Sequence, residues 1–202
     1  LLWLNTLTPG TSFKSSETAG VQHERKLLYT LLMSDEEMLA PLAKGLACLL
    51  RGSVQRPPAE WAAHLEEVRA EIAPRLRDGL PAQFLKAIHD TPVKHTEAIL
   101  AQLGRSAPIP LYEAVFEYGD LLTFANHKKH AAPSLELIRQ LRKALASLCI
   151  DYIDADLYIL DEFQRFRDLI DEESDSESAT IARQIFKKPN TKILLLSATP
   201  FK

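Results

Sequence analysis

The sequence predicts an α/β fold: part of a parallel sheet, with a large all-helical insertion in the chain before it. Three observations carry that expectation. The apolar runs Leu157–Leu160 and Ile193–Leu196 each break off into polar residues, Asp161-Glu162-Phe163-Gln164 after the first and Ser197-Ala198-Thr199 after the second. Short apolar runs bounded by charge or small hydroxyls fit strands buried on both faces of a parallel sheet. A helical pattern leads into each run, as in a strand–helix–strand crossover. The long stretch 33–130 shows only helical periodicity, punctuated by Pro and Gly.

Leu1–Leu7 is apolar apart from Asn5 and Thr6 and reads as a strand. Pro9 and Gly10 end it, and Thr8, Thr11, Ser12 and Lys14 supply donors suited to phosphate oxygens. After a polar stretch, Glu24–Leu32 reads as a helix with Leu27, Leu28, Leu31 and Leu32 on one face. Ser34 and Glu37 form a capping box for a helix over Asp35–Leu50, buried through Leu39, Leu42, Ala43, Leu46, Leu49 and Leu50. Pro57-Pro58 opens a helix over Ala59–Ile72, where Trp61, Leu65 and Val68 read as core. Leu80–His89, Thr91–Leu103 and Ile109–Phe124 are three more helical segments.

His127-Lys128-Lys129-His130 is a basic patch able to meet phosphates, though a solvated loop explains it as well. The His127/His130 spacing occurs in metal sites, but no neighbouring Cys or acid completes a ligand set. Leu135–Cys149 is helical, with Leu137, Leu141, Leu145 and Leu148 inward and Arg139, Arg142 and Lys143 in water. Between the two strand runs, 171–177 carries five acids in seven residues and reads as a solvated loop. Ser178–Lys187 is a short helix, and Pro189-Asn190 turns the chain into the second strand.

Composition narrows the functional classes. Apolar residues make up 46%, enough for a real core, and the net charge of −3 gives no global basic field. Any nucleic-acid contact must therefore be local. Cys48 and Cys149 lack metal-ligand spacing, which favours a reducing, cytoplasmic compartment. No apolar run approaches the roughly 20 residues of a membrane span, and no signal peptide is evident. The chain opens without Met inside an apparent strand and closes on Lys202 just after Ser-Ala-Thr. That is expected of a piece of a larger protein.

The polar residues at the two strand ends carry the chemistry. Asp161 offers magnesium a hard oxygen ligand, and Glu162 beside it can orient or deprotonate a water. Asp161-Glu162-Phe163-Gln164 resembles motif II (Walker B) of superfamily-two helicases of the DEAD/DEAH type, and Ser197-Ala198-Thr199 resembles their motif III. Thr8-Pro9-Gly10 resembles motif Ib. Phe163 in place of Ala, with the Arg165-Phe166 that follows, is similar to bacterial helicase-like ATPases related to the Swi/Snf translocases.

The resemblance implies a partial RecA-like motor domain formed by 1–32 and 131–202, with 33–130 as a helical insertion subdomain. It implies ATP and Mg²⁺ as cofactors and nucleic acid, DNA more than RNA, as partner. Asp161 would hold the magnesium, Glu162 would act on the attacking water, and Gln164 would link the site to a second RecA-like domain elsewhere in the parent chain. Ser197, Ala198 and Thr199 would couple hydrolysis to movement, and Thr8, Gly10, Thr11 and Ser12 would touch the nucleic-acid backbone. None of the seven glycines is followed by Lys, so this sequence holds no phosphate-binding loop of the Gly-Lys type. A rival reading keeps the helical block as an interaction module and treats the acidic motif as vestigial.

Overall fold

The computed structural model describes residues 22–52, 54–93, 97–151, 156–160, 183, 187–190 and 192–196. Within them lie seven helices, Gln22–Leu32 (α1), Ala43–Arg51 (α2), Pro58–Ile72 (α3), Leu80–Asp90 (α4), Glu97–Gln102 (α5), Leu111–Leu121 (α6) and Ala131–Asp151 (α7). Three single 3₁₀ turns, Ala40–Leu42, Ala73–Arg75 and His127–His130, join some of them. Two strands follow, Leu157–Leu160 (β1) and Lys192–Leu195 (β2), paired in parallel. The chain divides into two compact units, Pro9–Leu145 and a second made of Leu1–Thr8 with Ala146–Lys202. The helix-rich chain with a parallel strand pair matches the coarse expectation from sequence.

Proline sets three of the seven helix starts among the described residues. A proline lacks an amide hydrogen, and the first turn of a helix has no intrahelical acceptor for one. Pro58 opens α3, Pro81 lies in the first turn of α4, and Pro110 caps α6. The same chemistry corrects two helix boundaries. The helix expected over Asp35–Leu50 begins only at Ala43, because Pro41 cannot bond backward and its ring opposes the carbonyl four residues earlier. Ser34 is not the cap: its hydroxyl donates to the Leu31 carbonyl, while Asp35 Oδ1 accepts the Met38 amide at 3.0 Å.

The helix expected from Thr91 is likewise absent at its start. Thr91 precedes Pro92 and is extended (φ −98°, ψ 118°), as a residue before proline tends to be. Pro92 instead bridges Pro110 in antiparallel fashion, with the Val93 amide donating to Ile109 and the Leu111 amide to Thr91.

The helical unit is organised around α1 and α2. α1 packs on α2, α3 and α4, while α2 also meets α3 and α6, and α6 meets α4. The unit is therefore larger than the block 33–130, since α1 is built into it. Leu28, Leu31, Leu46, Leu49, Trp61, Phe84 and Leu141 are among its fully buried side chains. Trp61 is core, as expected, and its indole N–H donates to the Ala47 carbonyl of α2 at 3.1 Å. α2 and α6 approach closely where Gly45 faces the Gly119 backbone, leaving no room for a side chain at position 45.

Two arginines depart from the expectation that charge stays in water. Arg25 is 3% exposed, and its Nη1 donates to the Arg51 carbonyl at 2.6 Å, satisfying the C-terminal end of α2. Burial lowers the Arg25 pKa, and the nearby Arg142 cation lowers it further, while Glu24 works the other way. Arg142, expected on the wet face of α7, is mostly buried and paired with Glu24 of α1. That ion pair ties the first helix of the unit to its last.

Cys48 sits in the core of α2, and burial pushes its thiol up from 9.0 to about 11, against a small opposing pull from Arg51. The native state thus keeps its proton where the unfolded chain has lost it. Between pH 9 and 11 the unfolded state binds fewer protons, so stability falls as pH rises. Denaturant melts at pH 8, 9.5 and 11 should show that decline, and Cys48→Ala should make it shallower, the buried Cys149 thiol, pushed up to about 12, supplying part of the remainder. An unchanged slope in the variant would assign the decline to other groups.

Candidate nucleotide site at the ends of two parallel strands

β1 and β2 pair residue for residue, Leu157 with Lys192, Tyr158 with Ile193, Ile159 with Leu194 and Leu160 with Leu195. The Lys192 amide donates to the Asp156 carbonyl at 2.8 Å, fixing that register where the strands begin. Because the pairing is parallel, both strands run out at the same sheet edge. Ahead of β2, the Lys187 amide bonds to the Arg183 carbonyl and Asn190 takes a left-handed φ of 67°. Asn tolerates that conformation better than most residues, so Pro189-Asn190 makes the turn expected of it.

The strands are less covered than the sequence suggested. Leu157 and Ile159 are 48% and 57% exposed, and Ile193, Leu194 and Leu196 are also open. Burial on both faces was expected from the apolar runs. Among the described residues the sheet has two strands, too few to bury both of its own faces.

The acid pair and the hydroxyl motif follow these strand ends in sequence. Asp161, Glu162 and Gln164 lie outside the described residues, as do Ser197, Ala198 and Thr199. Thr8, Gly10, Thr11 and Ser12 of the expected backbone-binding turn lie outside them too. The structure therefore brings together the two strands that would carry the site and does not describe the site side chains. Among the described residues no group of three or more His, Cys, Asp or Glu side chains could hold a metal ion. No helix of the described residues is long and apolar enough to cross a membrane.

His127, which shares with His130 a spacing found in metal sites, has both ring nitrogens engaged. His127 Nδ1 is 3.0 Å from the Phe124 carbonyl and Nε2 is 3.3 Å from Arg51 Nη1. A carbonyl only accepts and a guanidinium only donates, so the partners assign the proton to Nδ1 and the lone pair to Nε2. Neither nitrogen is left for a metal. His130 instead presents its ring edge-on to Tyr118, with centroids 6.3 Å apart.

Sequence reading missed a second polar cluster. The Tyr112 hydroxyl donates to Asp35 Oδ2 at 2.5 Å, and His89 stacks on the Tyr112 ring with centroids 3.7 Å apart. Burial and the bond to Asp35 both raise the Tyr112 pKa. The cluster joins α4, α6 and the turn before α2, which accounts for it as a structural clasp. The three residues lie far apart in sequence, and no local pattern links them.

Comparison with protein-family models, with curated proteins and with solved structures finds no match to this chain.

Proposed function

We propose that this chain supplies the magnesium-and-water side of the nucleotide site in a nucleic-acid-dependent ATPase of the helicase or translocase kind. One observation supports the reading above others. β1 and β2 are parallel neighbours in register, with Leu160 opposite Leu195, so the strands leading into Asp161-Glu162 and into Ser197-Ala198-Thr199 end side by side. In open α/β sheets, ligands gather at the carboxyl ends of the strands.

The donor chemistry suits the group. Carboxylate and hydroxyl oxygens are hard ligands of the kind magnesium prefers, and Asp161 would hold the ion. Bound there, the ion would neutralise charge developing on the phosphates. Glu162 would orient the attacking water and accept its proton. Ser197 and Thr199 would hydrogen-bond across to the acid pair, and Gln164 would report the state of the site to a second motor domain. The phosphate-cradling loop must come from outside this sequence, which has no Gly-Lys pair.

Assays of the longest natural polypeptide containing this sequence test the reading. Magnesium-dependent ATP hydrolysis should be stimulated by DNA, and less by RNA. Hydrolysis indifferent to both would remove the nucleic-acid part of the proposal. The 202-residue chain alone, titrated calorimetrically with magnesium and ATP, should show no saturable binding below the millimolar range. Most phosphate affinity in this kind of site comes from loop amides and a lysine, and Asp161 alone offers one magnesium ligand. A micromolar dissociation constant would place the nucleotide elsewhere on the chain.

A further inference from the structure

We propose that Arg51, Arg56, Lys128 and Lys129, with Phe124, form a single-strand nucleic-acid contact on the helical unit. The proposal rests on the nucleic-acid partner inferred above. It is carried by a juxtaposition that the sequence does not display. Arg51 ends α2, and its Nε donates to the Arg56 carbonyl at 3.0 Å, while its Nη1 reaches His127 Nε2 at 3.3 Å. His127 and the two lysines share one 3₁₀ turn, and His127 bonds back to the Phe124 carbonyl. Residues 51–56 and 124–129 are thereby joined into one place.

The charge there is uncompensated. Among the described residues no carboxylate pairs with Arg51, Arg56, Lys128 or Lys129, whereas Arg69, Arg105, Arg139 and Arg142 each meet a glutamate. Arg56, Lys128 and Lys129 are exposed. His127 does not neutralise the patch, since an imidazole carries no negative charge. In a chain of net charge −3 such a cluster is local, as the composition required of any nucleic-acid contact.

Phe124 distinguishes a single strand from other polyanions. It is a large apolar side chain left 39% exposed beside the cations. Cationic tracks with an aromatic platform bind single strands by phosphate pairing and base stacking, with little sequence preference. A duplex offers no free base face to Phe124.

Fluorescence anisotropy of the full chain with a labelled oligothymidylate, without nucleotide, tests the proposal. Lys128→Gln/Lys129→Gln should weaken binding at least about tenfold at low salt, and should lower the slope of log affinity against log salt by about 1.4, roughly 0.7 per lost phosphate contact. Phe124→Ala should weaken binding about fivefold or more with the salt slope unchanged, because stacking releases no counterions. Arg75→Gln/Lys86→Gln removes the same charge from other exposed positions and should change little.

Thermal melts of the lysine variant should match the parent, since the lysines make no ion pair among the described residues, and Phe124→Ala is compared at a temperature well below its own melt. Equal weakening by the control pair, an unchanged slope in the lysine variant, or no binding by the parent chain at low salt would overturn the proposal. The readout is independent of Glu162 and of ATP. Loss of the ATPase reading would leave this binding measurable, and loss of this binding would leave any DNA-stimulated hydrolysis to be assigned to Thr8–Ser12.

Discussion

Replacing Gly45 by Ala should destabilise the helical unit by about 3 kcal/mol or more, the upper range for adding one methyl to a packed core. A Cβ at Gly45 would stand 1.7 Å from the Gly119 carbonyl oxygen and 2.7 Å from its carbon. Both are backbone atoms of α6, so no rotamer change relieves the overlap and α2 and α6 must separate. Separation would loosen Leu46, Leu49, Ala114 and Val115 together, all of them buried. Two other glycines rank the mechanism. A Cβ at Gly119 would meet Leu46 and Leu42 side chains at 3.2 and 3.3 Å, contacts that rotamers can partly relieve. Gly104 has a left-handed φ of 64° but nothing within 4 Å, so Ala there carries only backbone strain, about 1 kcal/mol. Thermal melts should order the variants Gly45→Ala, Gly119→Ala, Gly104→Ala from most to least damaging. A Gly45→Ala midpoint equal to that of Gly104→Ala would mean the helices do not touch there.

That contact illustrates what the sequence could and could not tell. The leucine stripes of α1 and α7 were legible because helical burial repeats locally, and Leu28, Leu31, Leu137 and Leu141 are buried as expected. The glycine pair was not, because Gly45 and Gly119 look like ordinary helix-weakening residues until α2 and α6 are set against each other. Arg142 was misplaced for the same reason, and the burial of Arg25 gave no local sign, since the groups that satisfy them, Glu24 and the Arg51 carbonyl, lie on other helices. Pro41 and Pro92 could have corrected the helix boundaries. Apolar periodicity outweighed them in reading Asp35–Leu50 and Thr91–Leu103, while in the fold the missing amide and the ring decide.

The candidate site divides along the same line. Two four-residue strands with polar ends were readable, and β1 and β2 pair in parallel. The basic cluster was half readable: Lys128 and Lys129 stand together in sequence, but Arg51 and Arg56 join them only through the bond to His127. No periodicity encodes a meeting of residues 76 positions apart.

In the longest natural polypeptide containing this sequence, Glu162→Gln should lower ATP turnover by about 10²–10⁴-fold and leave ATP affinity within a few-fold of the parent. The substitution keeps the size of the side chain and its ability to orient a water through the carbonyl oxygen. It removes the site that accepts the proton. Asp161, the proposed magnesium ligand, is untouched, so the nucleotide should still bind. Asp161→Asn should differ in kind, weakening magnesium affinity and nucleotide binding together and so raising the magnesium concentration needed, because an amide oxygen is a poorer ligand for a hard cation than a carboxylate. Ser197→Ala with Thr199→Ala should differ again. If these hydroxyls transmit the hydrolytic state, hydrolysis should persist while its stimulation by DNA declines. Measuring turnover, nucleotide affinity and DNA stimulation on the three variants therefore separates proton transfer, metal binding and coupling. Near-parental turnover in Glu162→Gln would remove Glu162 as the base. Equal loss of all three quantities in every variant would reduce the strand ends to a structural role, and the motor reading would fall with them.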